Sequence, residues 1–147
     1  MTKVFSTTLN RTEKAKIHEI GINGSQKVDV VPPPMMADNE GTTSPHHLFL
    51  ASIGGCINLI FETALERGRI ELIDLESTIK GNYETEEDTQ RSYFSSVEIE
   101  TTVTVPEGTS ESKLERFFNI AHENCPIGNC LIGSCVKLIT KLNVAFA

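Results

Sequence analysis

Four cysteines, Cys56, Cys125, Cys130 and Cys135, carry the chemistry open to this chain. A thiol can pack as a small buried group, ligate a metal as its thiolate, or do redox chemistry. Cys56 closes the stretch ASIGGC, where two glycines precede it in a run, ASIGGCINLIF, that otherwise reads as buried helix. A helix-interior glycine costs about 0.8–1.0 kcal/mol relative to alanine. One physical reason for the pair is close approach of another backbone or helix to the turn before Cys56, and a crowded core around a small buried cysteine is the other reading. Cys56 lies about three turns into the helix, beyond the reach of its N-terminal dipole. A reactive thiolate there needs a cation from elsewhere in the fold. Arg11, Lys14 and Arg91 are open candidates, and Arg67, further along the same helix, is the weakest.

The remaining cysteines fall in HENCPIGNCLIGSC. With His122 they are spaced H-x2-C-x4-C-x4-C, three thiolates and an imidazole, an acceptable zinc donor set. The surrounding pattern speaks against it, because His122 and Cys125 end one regular element and Cys135 starts another. The chain also lacks the basic and aromatic residues of a nucleic-acid knuckle. His46 and His47 are adjacent on a helix, so their side chains diverge by about 100° and chelate poorly.

The elements that must position these groups are legible along the chain. KVFSTTL, KAKIHEIGI and QKVDVV read as three short strands, and PPPMMADNEGTTS as a loop without regular structure. Ser44-Pro45 opens a helix as N-cap and first helical residue. It runs to about Arg67, with Gly68 as its stop, and is apolar on every side from Leu48 to Phe61, which predicts burial on all faces. LIDLESTIKGNYE is a strand, and the acidic ETEEDTQRS a solvated turn. SSVEIETTVTV alternates strictly, with Val97, Ile99, Thr101, Val103 and Val105 on one face. A second helix begins with a Ser112–Glu115 capping box, carries Leu114, Phe117, Phe118 and Ala121 as its apolar stripe, and stops at Pro126. VKLITKLNVAF is the last strand. The class is α+β with largely antiparallel pairing in a single domain, 1–147.

Composition narrows the functions. A net charge of −7 without a basic run argues against a nucleic-acid partner. The first residues lack the apolar core of a signal peptide. The apolar run Leu48 to Phe61 is shorter than the roughly 20 residues of a membrane span. A cytoplasmic protein without structural disulfides is the expectation.

Two segments together resemble the OsmC/Ohr family. GTTSPHHLFLASIGGC, ending at Cys56, resembles that family's G-x-x-P-x-x-L-L-x-A-x-x-G-C signature, and AHENCPI its second cysteine motif. The order of strands and helices agrees over nearly the full chain. The resemblance implies an intertwined homodimer whose two central helices are wrapped by antiparallel six-stranded sheets. It implies thiol-dependent reduction of organic hydroperoxides, with Cys56 as peroxidatic thiol, Cys125 as resolving thiol, an external dithiol as reductant and no cofactor, whether metal, flavin or haem. A non-catalytic dimer of the same fold, binding a small apolar ligand and using Cys56 as a buried or sensory thiol, is the alternative. The family places a glutamate just after the helix-opening proline, paired with a thiol-activating arginine. Here that position is His46, and Arg11 is the residue that matches the arginine's turn. Gly54 and Gly55 become the expected contact between the two central helices. Cys130 and Cys135 are extra to the motif and read as packing residues, with a resolving role for Cys130 as competitor.

Overall fold

The computed structural model describes residues 1–147, which form two compact units, Met1–Phe49 and Leu50–Ala147. The first is built on an antiparallel sheet of β1 (Leu9–Arg11), β2 (His18–Asn23) and β3 (Gln26–Val30), in that order. The first strand is shorter and later than expected, because β2 pairs it only from Leu9↔Ile20 to Arg11↔His18. Gly24 (φ +60) takes the first place of the two-residue turn between β2 and β3, where a type II′ turn requires glycine. Alternation puts Leu9, Arg11, His18, Ile20, Val28 and Val30 on one face, with Asn10, Glu19 and Asp29 on the other.

The proline-rich segment is more regular than its composition suggests. Pro33–Asp38 form a 3₁₀ helix, since prolines in a first turn have no needed N–H to lose. Thr43 then bridges back to Val30, and its carbonyl accepts the Val31 N–H at 2.9 Å. This delivers Ser44 to the start of α1 (Pro45–Arg67). Ser44 caps it as expected: its Oγ accepts the His47 N–H at 3.2 Å and pairs with His47 Nδ1 at 2.6 Å.

In the second unit β4 (Asp74–Thr85), β5 (Ser92–Val105) and β6 (Lys137–Phe146) make a sheet in that order. β4 and β5 are antiparallel, joined by the exposed acidic turn; β5 and β6 are parallel, against the antiparallel expectation. The reason is α2 (Glu111–Glu123), which lies between them and supplies the crossover that a parallel pair needs. Each sheet of the chain has three strands, where the resemblance implied six. The α+β class holds.

The strict alternation of β5 is realised: Val97, Ile99, Thr101, Val103 and Val105 are all buried. Ile53, Ile57, Phe61 and Leu65 of α1 and Leu114, Phe118 and Ala121 of α2 complete this core. Phe61 meets Phe118 edge-on, ring centroids 5.3 Å apart. Buried Thr101 shares a hydrogen bond with Ser77 (2.7 Å), which donates to Asn58 of α1 (2.9 Å).

Three helix expectations are corrected. α1 is buried along one stripe only, and Leu59 remains 67% exposed. Over its full 23 residues α1 is long and apolar enough to cross a membrane by length and composition, although its stripe is built into the core. The two glycines of ASIGGC serve different ends. A Cβ on Gly54 would stand 2.6 Å from Ile79 Cγ1, so this glycine admits β4 and not a second helix. Gly55 is exposed with nothing within 4 Å. Finally, α2 is capped by Ser110, whose side chain accepts the Lys113 N–H at 3.4 Å, instead of by the Ser112–Glu115 box. It ends at Glu123, and Pro126 opens α3 (Pro126–Asn129).

At the far end of α1 the stop falls where expected, but Arg69 (φ +56) takes the left-handed conformation. Gly68 is needed for space, since a Cβ there would lie 2.5 Å from Phe117 Cε2.

Candidate functional site: two thiols in contact

Cys125-Pro126 repeats the device of Ser44-Pro45: a polar side chain caps a helix whose first residue is proline. Cys125 Sγ accepts the Gly128 N–H at 3.1 Å, and Asn129 N–H donates to the Cys125 carbonyl at 2.8 Å. Gly128 is buried against this sulfur; a Cβ there would sit 3.4 Å from it. The one-turn helix therefore fixes Cys125 as a fully buried thiol.

Cys56, half-buried in α1, lies beside the Cys125 thiol, and both are free. Burial raises the Cys125 pKa above its ordinary 9.0, and the neighbouring Cys56 raises it further. The N–H groups of Gly128 and Ile127 pull the other way without reversing the direction. Cys125 thus keeps its proton at neutral pH and can donate it toward Cys56. Two neighbouring thiols are the starting arrangement for an S–S bond. The sequence predicted both residues; it missed the Gly128 hydrogen bond, whose signal was the polar-Pro pair repeated at 44–45 and 125–126.

The other cysteines stand apart. Cys130 and Cys135 are exposed, and His122 Nδ1 lies 3.4 Å from Thr140 Oγ1. No three His, Cys, Asp or Glu side chains are placed to share a metal ion, so the H-x2-C-x4-C-x4-C spacing does not become a zinc site.

The remaining predicted residues belong to the first unit. Arg11 is not in a turn: it is the last residue of β1, exposed, and faces His18 across the strands. His46, half-buried in the first turn of α1, lines a groove together with Lys16 and His18. Sequence reading missed Lys16 and His18, because their placement depends on where β2 begins. Lys14 lines a different cleft, beside Glu13 and Glu19, and Arg91 is exposed at the β4–β5 turn.

Residues 37–141, spanning most of the chain, match the sequence model of the OsmC family, described as OsmC-like protein. The chain belongs to this family. It is 27% identical over 117 residues to an organic hydroperoxide resistance protein-like protein of Staphylococcus aureus (strain USA300), covering 80% of this chain and 79% of that one. Among solved structures, the OsmC like protein from Mycoplasma pneumoniae superposes with a TM-score of 0.83 at 17% identity, over 99% of both chains. The organic hydroperoxide resistance protein OhrB of Bacillus subtilis does so with a TM-score of 0.68 at 21% identity, over 95% of this chain and 98% of its own. These two share its fold.

Proposed function

We propose that the chain reduces organic hydroperoxides with a pair of thiols, acting as one OsmC-like domain over 1–147. The contact between the Cys56 and Cys125 thiols carries this reading. The Cys56 thiolate attacks the terminal oxygen of the hydroperoxide; an S–O bond forms, the O–O bond breaks, and the alkoxide takes a proton to leave as alcohol. Cys56 is then a sulfenic acid. Cys125 then attacks the Cys56 sulfur and gives up its proton as it does so; the S–S bond forms as the S–O bond breaks, and the hydroxide leaves with that proton as water. An external dithiol reduces the disulfide by two exchange steps and restores both thiols. Four free thiols suit a reducing compartment such as the cytoplasm.

The division of labour follows from burial. Cys125 holds its proton while Cys56 is reduced, so it does not compete as first nucleophile. His46 and Arg11 enter this reading as family positions whose share in activating Cys56 is open to substitution experiments. We take the active form to be a homodimer, in which the exposed apolar side of α1, with Leu59 and Gly55, is covered by a second copy. The test is turnover of cumene hydroperoxide with dithiothreitol: wild type consumes it, and Cys56→Ser does not. Undiminished turnover by Cys56→Ser removes the reading.

A further inference from the structure

One face of the first unit's sheet collects basic groups, while the other mixes Glu19 and Asp29 with Lys27. On one side an apolar groove of about 520 Å³, walled by Leu9, Val30, Val31 and three prolines, is lined also by Lys16, His18 and His46 and by no carboxylate. Arg11 stands on this same face, directly across from His18. On the opposite face Glu19 and Asp29 are cross-strand partners and line a separate cleft with Glu13 and Glu40. In a chain of net charge −7, this gathering of basic groups over apolar walls is a local inversion.

Lys16 adds a second, independent observation. It holds a left-handed backbone (φ +62), which disfavours any residue with a Cβ. Glycine or asparagine would sit there at ease, so a strained lysine points to use of its side chain. Its ammonium makes no ion pair; the one ion pair of this unit joins Lys27 and Glu19.

We propose that this groove binds a small amphiphilic carboxylate, of the medium-chain fatty-acid class. The hydrocarbon lies along the prolines and valines, and the carboxylate meets Lys16 and His18. A neutral apolar ligand would cover basic groups without pairing them, which is unfavourable. The size falls within the range of small-molecule sites. The groove includes His46, so ligand binding is measured apart from peroxide turnover.

The test is isothermal titration of the full-length protein with decanoate and with 1-decanol, both below their aggregation limits. Lys16→Gly removes the ammonium while suiting the backbone at that position, and circular dichroism checks that the variant is folded. Decanoate is expected to bind wild type about tenfold or more tightly than decanol does, and Lys16→Gly to erase that preference while leaving decanol unchanged. Equal affinity for acid and alcohol, a preference that survives Lys16→Gly, or no decanoate binding each overturns the proposal. So does Lys16-dependent flotation with phosphatidylglycerol vesicles in the absence of decanoate binding, which would make the face a membrane contact. Turnover of cumene hydroperoxide, which has no carboxylate, reads the thiol site separately.

Discussion

The Cys56 thiol, midway along α1, faces the Cys125 thiol at the first turn of α3, and the Gly128 N–H holds the Cys125 sulfur at 3.1 Å. One sulfur is half-buried in a long helix, and the other is buried and kept protonated by its surroundings. Under the proposed function this asymmetry assigns the first attack to Cys56 and the second to Cys125.

Substitution separates those two steps. Cys56→Ser is expected to lower cumene hydroperoxide turnover by at least about a hundredfold, since the nucleophile is lost. Cys125→Ser should leave one oxidation event intact and trap Cys56 as a sulfenic acid, detected as a dimedone adduct by mass spectrometry. A dimedone adduct absent from Cys125→Ser but a peroxide-dependent disulfide present in it would move the resolving role from Cys125 to another thiol, such as Cys130.

The raised Cys125 pKa has a consequence for stability. Below its ordinary 9.0, folded and unfolded chains both carry the proton, and the contribution of this group is fully present. As pH rises through 9.0 the unfolded chain loses the proton first, so the reduced protein loses stability until the folded-state pKa is passed. Urea denaturation between pH 8 and pH 11 should show this fall, and Cys125→Ala should flatten it.

The two glycines before Cys56 should respond in opposite senses. Gly54→Ala drives a methyl to within 2.6 Å of Ile79 Cγ1. Overpacking of about 1–3 kcal/mol outweighs the helix-propensity gain of about 1 kcal/mol, so the net change is a loss. Gly55→Ala meets nothing within 4 Å in the chain and should stabilise the monomer by about 0.8–1.0 kcal/mol. If α1 receives a second copy there, the same change weakens self-association, read by sedimentation velocity across a dilution series.

Lys16 offers a stabilising change. Relief of its left-handed backbone gains about 1–2 kcal/mol, and glycine's greater unfolded-state freedom takes back about 0.4–1. Lys16→Gly should therefore raise stability by about 0.5–1 kcal/mol, seen as a higher urea midpoint at unchanged slope. A lower midpoint would mean that the lysine side chain itself supports the fold.

Much of the site was legible one residue at a time. The alternation of Val97 to Val105 names a buried face because strand side chains repeat every two residues. Ser44-Pro45 names a helix start because capping is local. Cys56 and Cys125 stood out through residue types and the motifs around them. Signals of this kind travel only a few residues along the chain, and even there the cap of α2 fell on Ser110 and not on Ser112.

What the sequence did not determine depends on distance across the fold. That Gly54 makes room for Ile79, while Gly55 faces open space, follows from how β4 lies on α1. That β6 runs parallel to β5 follows from the crossover through α2. Whether Arg11, Lys16 or His18 shares a groove with His46 hangs on the pairing register, where a one-residue slip exchanges the two faces of a strand. Sequence alone determined which residues can do chemistry and which elements carry them. Tertiary structure decided which sulfur is buried, which hydrogen bond holds it and which cations meet over one apolar floor, because burial and charge proximity belong to neighbours in space and not in the chain.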